Sequence, residues 1–215
     1  MLLVAGGEPP STSLIEASAS TVDLVVAVDG GADALRAAGV GVDVLVGDLD
    51  SVTADTVQTV ETAGATVVRH PVDKDASDLE LALTWLTGHA DGRALDVVAL
   101  GVTGGRLDHE LVALSVLAGW AAPDRGATVI DDRQSTTIVT PSVPHPLPAD
   151  AGQTVTLLAV GGAVDGVTTS GLRWPLADAT LTPHSSLGLS NVATRAEPTV
   201  ECRAGRLLAV VTASA

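Results

Sequence analysis

A chain of 215 residues is long enough for one large domain or two small ones. Its formal net charge of −15, with a single lysine at Lys74, excludes the basic patch that nucleic-acid phosphates or an anionic membrane would require. Hydrophobic residues make up 46% of the chain but aromatics only 1%, with no Phe and no Tyr, so the core has to be built from Val, Leu, Ile and Ala.

The opening Met1-Leu2-Leu3-Val4-Ala5-Gly6-Gly7 has no basic flank, and its apolar run is too short for a signal peptide or a membrane span. The lone Cys202 fits a reducing compartment. Both features point to a cytoplasmic protein. Short apolar runs then alternate with helical patterns. Leu2–Ala5, Asp23–Val28, Val42–Val46, Thr66–Arg69, Leu95–Leu100 and Thr128–Ile130 read as six strands. Ala32–Ala38, Ala54–Ala63 behind the cap Thr53, a helix from Ser77 to about Thr87, and Leu107–Trp120 read as helices. Ser77 and Glu80 carry the spacing of a capping box. On the last helix, positions 111, 114, 117 and 120 form an apolar row. Strands and helices in this rhythm predict an N-terminal parallel-sheet α/β domain. The runs are continuously apolar, as a sheet covered on both faces requires.

Pro141, Pro144, Pro146 and Pro148 then crowd into one stretch that no helix or central strand tolerates. The expected organisation is an α/β domain at 1–140, a Pro-rich linker at 141–150 and a small antiparallel β-sandwich at 151–215. The sandwich strands expected are Thr154–Val160, Ala163–Thr169, Ala179–Thr182, Thr199–Cys202 and Arg206–Val211.

The acids fall at strand ends. Asp29 follows the second strand, Asp48 and Asp50 the third, Asp73, Asp75 and Asp78 the fourth, and Gly101 through Asp108 the fifth. An open parallel sheet binds ligands beyond the carboxyl ends of its strands, so these groups should converge. Clustered carboxylates repel, and a divalent cation removes that repulsion. Hard oxygen donors suit Mg²⁺ together with phosphate oxygens, and no Cys/His cluster exists for zinc. Single acids such as Asp33, Asp43 and Asp73 read as turn formers or caps. Asp48 and Asp50, one residue apart, should point the same way from an extended backbone.

Gly101-Val102-Thr103-Gly104-Gly105-Arg106 runs into a helix, where amides and a guanidinium suit phosphate, although it is not a Walker A sequence. Asp108 either caps that helix or holds Arg106. His109 reads equally well as a helix-surface residue or a polar site group. Trp85 and Trp120 sit on helical apolar faces, whereas Trp174 lies among the short strands of the expected sandwich in a chain with no Phe or Tyr.

The ordered set Asp29-Gly30-Gly31-Ala32, Gly47-Asp48-Leu49-Asp50-Ser51, Asp73-Lys74-Asp75-Ala76-Ser77-Asp78, Gly104-Gly105-Arg106-Leu107-Asp108-His109, Gly171-Leu172-Arg173-Trp174 and Ser190-Asn191 resembles the thiamine pyrophosphokinases over nearly the whole chain. The resemblance implies a catalytic α/β domain followed by a β-sandwich. It also implies a homodimer that binds thiamine at the subunit interface and uses ATP with Mg²⁺. Carried over by position, Asp48, Asp50 and Asp75 are implied metal ligands. Asp29, Gly30, Gly104, Gly105 and Arg106 are implied nucleotide contacts, Asp75, Asp78, Arg106 and Asp108 catalytic groups, and Trp174, Ser190 and Asn191 thiamine contacts. Leu49 and Ser77 replace the family's usual Phe and Thr, and the helix after His109 lacks an Asn common there. Two other readings share these features: a hydroxymethyl-dihydropterin diphosphokinase, and a non-catalytic nucleotide or thiamine-diphosphate binder.

Overall fold

The computed structural model describes residues 1–141 and 144–212; positions 142–143 of the expected linker and 213–215 of the expected sandwich lie outside the described residues. The chain divides into two compact units, Met1–Val116 and Leu117–Ala215. That division falls inside a helix and well before residue 140.

The first unit runs β1 (Leu2–Val4), α1 (Thr12–Ala19), β2 (Val25–Val28), α2 (Gly31–Ala37), β3 (Val44–Gly47), α3 (Ala54–Thr62), β4 (Thr66–Arg69), α4 (Asp78–Gly88), β5 (Leu95–Leu100) and the start of α5 (Leu107–Trp120). The strands pair in parallel in the order β5-β1-β2-β3-β4. The chain steps outward from β1 to β4 and then returns to the other side of β1, which creates a switch point in strand order. Leu2, Leu3, Val26, Leu45 and Val46 are fully covered. Burying each such side chain contributes about 1.5–3 kcal/mol. At the open edge, Thr66 and Arg69 of β4 face solvent, as an edge strand does.

Capping follows the sequence. Thr53 Oγ1 accepts the Thr56 amide at 3.3 Å and Ser77 Oγ accepts the Glu80 amide at 3.3 Å. Helix α1, which the apolar periodicity did not reveal, is started by Ser11, whose Oγ accepts the Leu14 amide at 3.3 Å. The apolar row on α5 is covered only toward its end: Leu117 and Ala118 are buried, while Leu107, Leu111 and Val112 are exposed.

The second unit holds β6 (Arg125–Ile130), β7 (Gln134–Val139), β8 (His145–Pro146), β9 (Thr154–Ala159), β10 (Val164–Ser170), β11 (Ala179–Leu181), β12 (Asn191–Val192), β13 (Thr199–Glu201) and β14 (Leu207–Thr212). Its strands run in the orders β12-β9-β14-β7-β6 and β11-β10-β13-β8, with antiparallel pairing. Val139, Val155, Leu157, Leu207 and Val211 from the first set share one buried cluster with Val164, Val167, Leu181 and Val200 from the second. This is a sandwich whose buried cluster is aliphatic apart from Cys202.

The fold class is as the sequence predicts, and the sixth strand also forms a hairpin with β7. Asp131 makes the turn: its Oδ1 accepts the amides of Arg133 at 2.8 Å and Gln134 at 3.1 Å. The stretch 141–150 also contributes β8 and the buried Leu147 and Ala149 to the sandwich.

Candidate active site

Asp29 follows β2, and Asp48 and Asp50 follow β3. Parallel pairing of Val28 with Val46 brings these strand ends level. Gly47 lets them touch, because a Cβ there would lie 3.1 Å from Asp29 Cβ. One carboxylate oxygen from each of Asp29, Asp48 and Asp50 lies within 4.8 Å of the others.

The convergence arises differently from the sequence expectation. The backbone between the two later acids is not extended, since Leu49 takes a φ of 65° and the Asp50 amide turns back to donate to Asp48 Oδ1 at 3.2 Å. Asp29 also has a positive φ, 48°. Non-glycine residues held there carry strain, which concentrates at functional sites.

Asp29 Oδ2 accepts the Ser51 hydroxyl, while its Oδ1 is buried without a hydrogen bond. Lys74 reaches over from the loop before α4. Its Nζ donates to Asp48 Oδ2 at 2.6 Å and stands 3.3 Å from Asp78 Oδ1. The second approach is an ion pair in length but lacks hydrogen-bond alignment, so Asp78 Oδ1 is buried without a hydrogen bond. The hydrogen bond from Lys74 holds the Asp48 carboxyl below its usual range. The Asp48 charge pushes neighbouring Asp50 upward. Adjacent acids shifted in opposite directions show an anionic cluster only partly neutralised by one ammonium. Three close carboxylates and an orphaned buried oxygen are a donor set that fits a hard divalent cation.

Asp75, an expected ligand, is exposed and lies outside this trio, in which Asp29 takes its place. Sequence reasoning also passed over Lys74 and Ser51. A lone lysine in a chain so acidic was the available signal for the first.

Backbone close to the acids is packed tightly. A Cβ at Gly31 would overlap the Val4 carbonyl oxygen, so only glycine lets α2 begin against the end of β1. Gly30 lies against Ser51, with its added Cβ 3.3 Å from the Ser51 carbonyl. In the loop before α5, the Gly104 amide already donates to Glu110 Oε2 at 3.1 Å. That loop amide therefore serves an anionic oxygen, as a phosphate site would, and Glu110 is a third missed residue. Gly105 follows with a φ of 78°. Arg106 is gripped by Asp108 through two bonds, Nη2 to Oδ2 at 2.5 Å and Nε to Oδ1 at 3.1 Å. Of the two roles open to Asp108, holding Arg106 is the one observed.

In the sandwich unit, Trp174 is 57% exposed, with the Arg173 guanidinium 5.5 Å from its ring centroid. The buried Asn191 accepts the Trp174 amide at 3.1 Å and donates to the Trp174 carbonyl at 2.7 Å. Its side chain therefore anchors the Trp174 main chain. Ser190 is exposed with a φ of 53°, and its amide donates to Thr156 Oγ1 at 3.0 Å.

Two family models match the chain: the catalytic domain of thiamin pyrophosphokinase over residues 15–129, and its vitamin B1 binding domain over residues 138–207. The chain belongs to the thiamin pyrophosphokinase family. It is 28% identical over 193 residues to the thiamine pyrophosphokinase of Bacillus subtilis, covering 88% of this chain and 87% of that one. Thiamine pyrophosphokinase 1 of Arabidopsis thaliana is 27% identical over 165 residues, 74% of this chain but 61% of the relative. This chain thus spans less than two thirds of the plant thiamine pyrophosphokinases. The crystal structure of the Bacillus subtilis enzyme matches with a TM-score of 0.82 at 24% identity, over 100% of this chain and 99% of that one. That of the Geobacillus thermodenitrificans thiamin pyrophosphokinase gives 0.80 at 25% identity, over 100% and 97%.

Proposed function

We infer that this chain is a thiamine diphosphokinase, which transfers the diphosphate of ATP to the hydroxyl of thiamine and releases AMP. The observation that carries the reading is the gathering of Asp29, Asp48 and Asp50 at two neighbouring strand ends, in a chain that matches both domains of the family.

Asp29, Asp48 and Asp50 would hold Mg²⁺, with Asp75 a further candidate ligand. The ion would supply positive charge to the phosphate oxygens. The chain's own residues do the rest. Arg106, fixed by Asp108, and the amide of Gly105 bind the nucleotide phosphates, the Gly104 amide joins them on release from Glu110, and Gly30 lets the nucleotide approach the backbone beside Asp29. Trp174 stacks on thiamine, Asn191 keeps Trp174 in place and Ser190 offers its hydroxyl to the same ligand. The thiamine hydroxyl oxygen forms a bond to the β-phosphorus of ATP. The bond from that phosphorus to the α–β bridging oxygen breaks, and AMP leaves. The hydroxyl proton passes to an Asp. Lys74 pairs with Asp78, which favours Asp75 as that base. Such catalysis is mainly alignment and charge stabilisation.

The reading includes a cytoplasmic homodimer that binds thiamine at the subunit interface, with 1–140 as the ATP and Mg²⁺ part, 141–150 as connector and 151–215 as the thiamine part. Exposed Leu107, Leu111 and Val112 on α5 support self-association. The test is AMP release from ATP and Mg²⁺, with thiamine and with hydroxymethyl-dihydropterin in parallel. Release with thiamine alone is expected, and silence with thiamine would end the proposal.

A further inference from the structure

Lys74 is the only lysine of the chain, yet it sits among the acids rather than at the surface. Its side chain is 13% exposed, and those of its partners Asp48 and Asp78 are 9% and 21% exposed. A lysine normally keeps its ammonium in water, and burying one beside two carboxylates requires close pairing. The ammonium takes Asp48 Oδ2, while Asp48 Oδ1 receives the Asp50 amide, so both oxygens of this acid are occupied. Asp29 Oδ1 stays buried and without a hydrogen bond in the same cluster.

We propose that Lys74 is a resident counter-cation of the acid cluster, holding Asp48 and Asp78 in place without metal and competing with the divalent ion for Asp48. This rests on the reading of Asp29, Asp48 and Asp50 as a cation site. A second cation drawn to Asp48 meets the ammonium as a like charge, which weakens binding of the metal alone. Anionic phosphate arriving with the metal gives Lys74 another partner and relieves that repulsion. Cation binding is thereby coupled to nucleotide binding, and a bare ion is held poorly. Lys74 acts here as a positioning residue.

The test is calorimetric titration of the full chain with Mn²⁺ alone, and then with ATP present. Lys74→Met is expected to bind bare Mn²⁺ more tightly than wild type by on the order of tenfold, the lower end of what one neighbouring charge does to an ionic equilibrium. The gain should vanish or reverse with ATP. Lys74→Arg, which keeps the charge, should stay near wild type and shows that loss of charge rather than loss of packing is read. Equal or weaker binding of Mn²⁺ by Lys74→Met overturns the competition. If Lys74→Met fails to fold, bare-Mn²⁺ affinity in wild type alone decides: binding as tight without ATP as with it overturns the proposal. No Mn²⁺ binding by wild type under either condition overturns the cation site itself, and the proposal with it.

Discussion

Asn191 holds Trp174 by both ends of its main-chain amide system, accepting from its nitrogen at 3.1 Å and donating to its carbonyl at 2.7 Å. The indole is displayed in solvent while its backbone is fastened by a buried side chain. Asn191→Ala should therefore destabilise the sandwich by about 1–3 kcal/mol, the cost of leaving buried polar groups unpaired. It should also raise KM for thiamine and leave KM for ATP unchanged. Trp174→Ala should raise the thiamine KM with little change in melting temperature, because the ring is 57% exposed and its contact with the Arg173 guanidinium lies at the surface. Thermal melts and two-substrate kinetics on both variants check this, and a thiamine KM unchanged in both would remove Trp174 from the site.

The acid trio separates two roles. Asp29→Asn and Asp48→Asn should each abolish Mn²⁺ binding and cut AMP formation by on the order of 10²–10³, the usual loss for one charge-stabilising contact. Asp75→Asn should lose turnover to a similar degree but keep Mn²⁺ binding, since Asp75 is outside the trio. Titration and an AMP assay on the three proteins decide it. Loss of Mn²⁺ binding in Asp75→Asn would return Asp75 to the metal.

The parts of the molecule written in local chemistry were legible. Continuous Val and Leu runs announced β1, β2, β3 and β5, and Thr53 and Ser77 announced their helices, because burial and capping act over a few residues. Asp48 and Asp50 were legible as a pair, but for a mistaken reason: the turn at Leu49 was invisible to a rule that assumes an extended strand. The convergence of Asp29 with them was legible from the strand-end rule, whereas Lys74 joined through a loop that folds back, a contact no periodicity encodes. The hold of Asn191 on Trp174 was not legible, because the two lie 17 residues apart in sequence and meet only in the folded sandwich.

Asp33 gives a pH dependence apart from the acid cluster. Its carboxylate accepts the Thr53 amide at 3.0 Å and the Thr53 hydroxyl at 2.8 Å, tying α2 to the cap of α3. Partial burial pushes this carboxyl up, but hydrogen bonds from Thr56 and Thr53, with help from Arg36, outweigh burial and leave it below the ordinary value. A depressed folded value means the stabilisation is present above the unfolded value of about 3.9 and is lost as pH falls through the folded one. Asp33→Asn should melt lower than wild type at pH 7, and the gap should close on acidification below about pH 4. Melting temperatures of both proteins from pH 7 to pH 3 test it, and a constant gap would show that the carboxylate charge contributes nothing.

Cys202 is 5% exposed beside β13, within the aliphatic cluster of the sandwich. Burial pushes its thiol pKa up, so the reactive thiolate is scarcer than in a free cysteine. Two barriers then act together, since a reagent needs both access and ionisation. A disulfide reagent such as 5,5′-dithiobis(2-nitrobenzoate) should modify the native protein far more slowly than the protein in guanidinium chloride. The native rate should follow opening of the sandwich, so Asn191→Ala, which loosens that unit, should react faster than wild type. Rapid single-exponential labelling of the native wild-type chain, at the rate of the unfolded protein, would mean that this core admits solvent and that the packing around Val164, Val200 and Cys202 is not closed.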